Sequence, residues 1–357
     1  MSGVWGSKVR LSIFGESHGK AIGINIDGLK PGIELDLNYI NKEMRRRAPG
    51  GSELSTPRKE EDNFEILSGY FNGRTTGTPL CAIIYNKNQH SKDYEKTKNL
   101  MRPSHGDLTG HVKYQGFNDY RGGGHFSGRI TAPLVFAGAI CKQILEKKGI
   151  FIGSHIKSIS KIEDVSFNMT EIESEILKGL NESKFPVLTE EIGINMKNSI
   201  IKAKEEMDSL GGVIETAVNN LPVGLGEPFF DSVESILSHL LFSIPGVKGV
   251  EFGEGFNISK LKGSEANDGF YIENEKIKTY SNNNGGILGG ITNGMPLIFR
   301  TAVKPTPSIA KIQNTVDIQK RENAKIEIKG RHDPCIIPRA LPVVEAAAAI
   351  AIIQFID

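Results

Sequence analysis

Apolar and polar positions alternate at Val9, Leu11 and Ile13, and again at Ile22, Ile24 and Ile26. That spacing predicts two strands around a loop at Gly15–Gly19. Asp36 predicts the cap of a helix running to about Arg47, stopped before Pro49 and the Gly50-Gly51 pair. Leu80–Tyr85 reads as a further strand, and Thr131–Lys148 as a strongly apolar helix closed by Gly149. The stretch 153–210 is rich in Lys and Glu, holds two amphipathic helical patterns and reads as a solvated elaboration. Asp231 with Glu234 predicts a capping box for a helix whose apolar stripe is Val233, Ile236, Leu237, Leu240, Leu241 and Ile244. The last apolar run, Ala340–Phe355, is interrupted by Glu345 and too short to span a bilayer, so it predicts a buried helix.

The pattern repeats. Asp27-Gly-Leu-Lys-Pro-Gly-Ile before a helix resembles Asn220-Leu-Pro-Val-Gly-Leu-Gly before a helix. Gly73–Leu80 resembles Gly290–Leu297, and the helix after Arg129 resembles the helix after Arg339. The pairs fall in the same order, which predicts two related halves within one pseudo-symmetric domain spanning 1–357. Strands and helices do not alternate as regular βαβ units, so the expected class is α+β.

Composition narrows the function. With 38% hydrophobic and 24% charged residues and a formal net charge of +1, the chain reads as a soluble protein with no bulk attraction to nucleic acid or membrane. Cys81, Cys141 and Cys335 are scattered, which suits a reducing compartment without disulfides or structural zinc. With no signal peptide visible, the expected location is cytoplasmic. Arginine is more telling than net charge: nine of the 13 arginines lie in or beside five short stretches, Arg45–Arg47, Arg58, Arg102, Arg121 with Arg129, and Arg331 with Arg339, and there are none from Phe151 to Phe299. A planar guanidinium grips carboxylate or phosphate with two parallel bonds, so this confinement predicts an anion site.

Five motifs are dense in glycine, arginine, histidine and serine: Phe14–Gly19 (FGESHG), Arg45–Gly51 (RRRAPGG), Arg102–Asp107 (RPSHGD), Asp119–Arg129 (DYRGGGHFSGR) and Lys329–Cys335 (KGRHDPC). Glycine lets backbone amides approach an anion, while arginine and histidine supply charge and movable protons. His18, His105, His125 and His332 lie inside the motifs; His239 falls off its helix's apolar stripe and reads as a surface residue. No histidine pair has metal-ligand spacing, so no metal is expected. Neither a GxxxxGK[ST] loop nor a GxGxxG fingerprint is present, and the arginines lack interleaved aromatics for a nucleic-acid groove.

Together with GLGEP (Gly224–Pro228), GGILGGITNG (Gly285–Gly294) and KPTPSI (Lys304–Ile309), these segments resemble the ordered signature series of the chorismate synthases, over nearly the whole chain. The resemblance implies a β-α-β sandwich, a homotetramer and a reduced-FMN site. It implies a 1,4-elimination of phosphate from 5-enolpyruvylshikimate-3-phosphate (EPSP), without net redox change. By position, His18 and His105 match the catalytic histidines and Asp333 an aspartate beside the flavin. Arg47, Arg129 and Arg339 match residues facing the substrate. His125, Phe126, Ser127, Pro245, Gly246, Gly289, Lys304, Pro305, Thr306, Pro307, Ser308 and Arg331 match flavin contacts. Three positions depart from the family pattern: His125-Phe126 stand where Arg-Ser is common, Glu53 where arginine is, and Pro307 where serine is. The modest length implies an external flavin reductase rather than an intrinsic NADPH-dependent one. Two other readings share the motifs. A flavin-dependent reductase would consume NAD(P)H, and a non-catalytic flavin or phosphate module would leave the paired histidines and aspartate without a purpose.

Overall fold

The computed structural model describes residues 3–50, 54, 60–87, 95, 97–328 and 333–356. In chain order the first half comprises β1 (Val4–Trp5), β2 (Arg10–Gly15), β3 (Ala21–Asp27), α1 (Leu37–Arg47) and β4 (Phe64–Ser68). A short hairpin, β5 (Tyr70–Phe71) and β6 (Arg74–Thr75), precedes β7 (Leu80–Tyr85), α2 (Asp107–Lys113) and α3 (Thr131–Glu146). The second half begins with β8 (Phe151–Ile159), β9 (Ile162–Glu163), α4 (Ser174–Glu182), α5 (Glu190–Glu205), β10 (Gly212–Asn219), α6 (Val233–Ser243) and β11 (Val247–Phe252). It continues through the single turn α7 (Gly263–Ala266) and the hairpins β12 (Phe270–Glu273)–β13 (Lys276–Thr279) and β14 (Ile287–Leu288)–β15 (Ile291–Thr292). Then come β16 (Leu297–Val303), the hairpin β17 (Gln313–Asp317)–β18 (Glu322–Ile326) and α8 (Ile337–Ile352).

By internal contacts the chain forms two compact units. One comprises the chain up to Ala137, Lys197–Gly211 and Pro305–Arg339; the other comprises Gly138–Met196, Gly212–Lys304 and the chain from Ala340. The first contains the antiparallel sheet β1-β2-β3-β7-β4. Its buried face is written in the period-2 pattern: Leu11 lies opposite Ile26, which lies opposite Leu80, while Ile24 faces Ala82 and Ile22 faces Ile84. Asp36 caps α1 as predicted, its carboxylate accepting from the Asn38 and Tyr39 amides at 2.8 and 3.3 Å. Ile40 and Met44 of α1 are buried.

The second unit contains the sheet β11-β16-β10-β8-β9. Along the chain, β2, β3, α1, β4, β7 and α3 correspond to β8, β10, α6, β11, β16 and α8, and each set of four strands pairs in the same antiparallel order. The repeat seen in the sequence is therefore a repeat of topology, in an α+β fold. Two expectations are corrected. The stretch 153–210 is more than a solvated elaboration, because most of β8, the buried partner of β10, lies in it. Its helix α4 also covers the sheet through Leu177 and Leu180, which join a core with Ala217 and Ile298. The cap of α6 is Ser232, whose hydroxyl accepts from the Ser235 amide at 3.1 Å; Asp231 lies one residue outside, in a 3-10 turn. The rest of that helix follows its stripe, with Val233, Leu237, Leu240 and Leu241 buried and His239 exposed.

The final apolar run does form a buried helix, α8, although no helix among the described residues is long and apolar enough to cross a membrane. In the second unit it packs on α3 so closely that a Cβ at Gly138 would lie 2.2 Å from the Ala346 Cβ. Beside this contact Lys142 Nζ donates to Glu345 Oε2 at 2.9 Å, with both side chains buried. The charge that interrupts the apolar sequence is thus neutralised inside it. Breaking such a pair costs more than the pair itself contributes. Lys142→Met is expected to destabilise the protein by about 3–5 kcal/mol, and adding Glu345→Leu to recover most of that loss. Urea denaturation of both variants and the wild type checks this.

Candidate active site

The arginines at the end of α1 diverge. Arg46 pairs with Glu43 one turn back at 2.9 Å, whereas Arg47 turns inward and is 2% exposed. Asp62 Oδ2 accepts from Arg47 Nε at 2.9 Å and Nη2 at 2.6 Å, while Oδ1 accepts from Arg129 Nη1. Glu60 adds a second carboxylate to Arg129 at 2.8 Å. Arg47 Nη1 donates to Gly128 O at 3.3 Å and Thr131 Oγ1 at 3.4 Å. Arg339 Nε donates to the Arg47 carbonyl at 3.0 Å, and its Nη1 pairs with Asp333. All three arginines predicted to face the substrate therefore meet, with Asp333 beside them.

Burial pushes the Arg47 guanidinium down, against the pull of Asp62. For Asp62 burial alone would raise the carboxyl, but Arg47 and Arg129 overcome it and hold Asp62 below the usual carboxylate range. Asp62 also adopts a left-handed φ of 49°, an unfavourable backbone choice stabilised by the two guanidiniums.

Asn86 links this cluster to the first histidine loop. Its Oδ1 accepts from Arg129 Nε at 3.0 Å, and its Nδ2 donates to Glu16 O at 3.1 Å and Gly19 O at 2.9 Å. The Ser17 amide donates to Gly124 O at 3.1 Å, tying the loop to the triple glycine. There Gly122, Gly123 and Gly124 all take positive φ, at 60°, 85° and 52°. A Cβ on Gly122 would lie 2.1 Å from Cε1 and Nδ1 of His18, and one on Gly123 would lie 2.9 Å from His105 Cε1 and 3.1 Å from Nε2. Glycine is required here by both conformation and space. The turn thus brings together His18 and His105, which are 87 residues apart in sequence. His105 is set by its own tight turn, with Ser104 at φ 57° and its amide donating to Arg102 O at 3.2 Å. A cavity of about 210 Å³ beside this turn is lined by Arg102, Asp107, His111, Tyr120, Gly123 and Phe126.

The departures from the family pattern at His125 and Phe126 have local contacts. His125 Nδ1 is 2.9 Å from Gly15 O; a carbonyl only accepts, so this nitrogen carries the proton. The Phe126 ring fills the space over Gly106 and Gly110, where added Cβ atoms would lie 3.1 and 2.6 Å away. Ser127 Oγ accepts from the Arg129 amide at 3.3 Å and caps the turn leading into α3. Thr306 O accepts from Ser209 at 2.7 Å, and Ser308 is buried.

In the second unit Gly246, at φ 95°, accepts from the Lys304 amide at 2.9 Å, and Gly289, at φ 61°, sits in the β14–β15 turn. The Lys304 ammonium is pushed down, first by burial and then by Lys248. Pro245 is exposed. Arg331, His332 and Glu53 lie outside the described residues. Burial pushes the Cys335 thiol up to about 12, so it is no nucleophile.

Sequence reading missed Asp62, Glu60 and Asn86. The usable signal was electrostatic: converging arginines demand a carboxylate, and the acidic triplet Glu60-Glu61-Asp62 follows Arg45–Arg47 closely in sequence. Asp62→Asn is expected to lower stability by about 3–5 kcal/mol, because it takes away the carboxylate that pairs buried Arg47 and one of the two that pair Arg129. The pH dependence follows from the depressed Asp62 pKa. As pH falls, the unfolded carboxyl protonates first, near about 3.9. Asp62's stabilisation is therefore complete above that value and is lost as pH drops through the lower folded pKa. Thermal melts from neutral pH down to pH 3 are expected to show a shallower acid limb for Asp62→Asn than for wild type.

Residues 9–356 match the family model described as chorismate synthase. A chorismate synthase of Dehalococcoides mccartyi is 47% identical over 359 aligned positions, covering 99% of this chain and 96% of that protein. The chorismate synthase of Thermococcus kodakarensis is 45% identical, covering 97% and 95%, and that of Methanosphaera stadtmanae is 48% identical, covering 96% and 92%. A chorismate synthase crystal structure superposes with a TM-score of 0.77 at 30% identity, covering 98% of this chain and 91% of that one. Motif order, duplicated topology and near full-length similarity agree, and the chain belongs to the chorismate synthase family of lyases.

Proposed function

We propose that this enzyme eliminates phosphate from EPSP to give chorismate, with reduced FMN as a cofactor that is not consumed. The observation that carries the reading is the placing of His18 and His105 against adjacent glycines of one turn, joined through Asn86 to a buried arginine cluster. EPSP carries two carboxylates and a phosphate, and its burial requires fixed cations. Arg47, Arg129 and Arg339 form the cluster that would supply them, and Asp62, bound by Arg47 and Arg129, fixes those two relative to each other.

For the cofactor, the donor set near Lys304 fits a phosphate. The Lys304 ammonium, depressed by burial and then by Lys248, would be favoured in its charged form by an anion, and the positive-φ backbone at Gly246 allows close approach. Lys304 and Gly246 would hold that group. Held there, reduced flavin would supply electron density for the departure of phosphate and recover it with the hydrogen that leaves C6. The remaining steps belong to the chain. His18, 5% exposed, hydrogen-bonds or protonates the departing phosphate. His105 stabilises the charge of the reduced cofactor, and Asp333, oriented by Arg339, receives the proton. Burial around the histidine turn limits water access. The working form is a cytoplasmic homotetramer whose flavin is reduced by a separate reductase.

An anaerobic assay tests the reading. Chorismate is expected to form from EPSP with reduced FMN and not without it, at many turnovers per flavin and with no NAD(P)H consumed. Stoichiometric oxidation of NAD(P)H would identify a reductase instead. His18→Ala and His105→Ala are each expected to lose about a hundred- to ten-thousand-fold in turnover while keeping the wild-type melting temperature within a few degrees. A variant that melts early yet turns over normally would remove that histidine from the mechanism.

A further inference from the structure

His105 has a partner of its own. Its Nδ1 lies 2.8 Å from Asp107 Oδ1, and Arg102 grips the same carboxylate with Nε and Nη2, each at 2.7 Å, on its two oxygens. The Arg102 amide adds a fourth donor to Asp107 Oδ2 at 3.1 Å. Arg102 Nη2 is also 3.2 Å from His105 Nδ1. A guanidinium has no lone pair to offer, so a proton on Nδ1 is directed to the carboxylate alone. The opposite edge of the ring, Cε1 and Nε2, faces Gly123.

We propose that Asp107, braced by Arg102, is a positioning residue that holds neutral His105 in the Nδ1–H tautomer and leaves the Nε2 lone pair facing the triple-glycine turn. The inference rests on the reading above that His105 acts in catalysis. The hydrogen bond made by one ring nitrogen determines which proton state the other presents. With Asp107 as acceptor, Nε2 would take up the proton that reduced flavin gives up and, as Nε2–H, donate back to the charge left on it, while the carboxylate stabilises the imidazolium so formed. Burial would by itself raise the Asp107 carboxyl, but His105 and Arg102 hold it well below the usual range, so it remains an acceptor throughout the working pH range. Arg102 orients that carboxylate by holding both of its oxygens. The tight turn at Ser104 and the anchoring of the Met101 amide to Val316 O at 3.3 Å hold the three side chains in register.

Solid-state ¹⁵N NMR of histidine-labelled enzyme, with His105→Gln identifying the signal, reads the tautomer directly. Nδ1–H is expected for neutral His105 in wild type, and Nε2–H would overturn the proposal without any change at Asp107. Asp107→Asn is expected to move the population towards Nε2–H and to lower kcat about a hundred-fold, the low end of an acid–base group's contribution, with little change in KM. In a His105→Gln background the same substitution is expected to change kcat less than about twofold, because coupled residues are not additive. An equal loss in both backgrounds would show that Asp107 acts independently of His105 and would overturn the proposal. If His105→Gln itself keeps wild-type turnover, the catalytic role of His105 fails, and the tautomer still decides the pairing. If Asp107→Asn does not fold, the wild-type tautomer is the deciding measurement.

Discussion

A carboxylate buried between two guanidiniums organises the first unit. Asp62 binds Arg47 through one oxygen and Arg129 through the other, at the meeting of α1, the strand-leading segment before β4 and the entry to α3. Each ion taken from water costs several kcal/mol, and only close pairing with further hydrogen bonds offsets that cost. The cluster is satisfied in this way: Arg47 also donates to Gly128 O, Arg129 to Asn86, and Glu60 balances the second guanidinium. Such an arrangement has few alternative geometries, which suits a place where cations must be held in a set orientation.

From that cluster, positional constraint spreads through short polar links. Asn86 uses its acceptor on Arg129 and its donors on the carbonyls of Glu16 and Gly19, so the loop carrying His18 is referenced to the arginines. The triple glycine then references His105 to His18, since neither Gly122 nor Gly123 has room for a side chain. Backbone conformations that other residues avoid recur along this path, at Asp62, Ser104 and Gly122–Gly124. Their clustering beside the histidines is the usual signature of a site where surrounding packing outweighs local preference.

The two units have the same strand order but use their interiors differently. In the second, two buried charged or polar pairs lie within the core: His155 with Glu215 at 2.9 Å, and Lys142 with Glu345 at 2.9 Å. In the first, the loops following β2 and preceding α3 carry glycine, histidine and arginine instead.

Much of this was legible from sequence because local physics decides it. Period-2 runs set β2 and β3, Leu80–Tyr85 read directly as the strand β7, Asp36 set the start of α1, and an apolar pattern on all sides set α3 and α8 as buried helices. The repeat and the glycine-histidine-arginine motifs were equally visible, since each is a property of consecutive residues. The cap of α6 shifted from Asp231 to Ser232 because adjacent residues can both cap and only the incoming backbone chooses between them. The role of residues 153–210 was misjudged because β8 owes its place to pairing with β10, nearly sixty residues later. The same reason separates the site's parts from their arrangement. Sequence by itself determined which residue types were available; only tertiary structure decided that Asp62 would serve Arg47 and Arg129, and that two glycines would bring His18 and His105 together. Those choices depend on long-range contacts between segments whose local patterns are silent about one another.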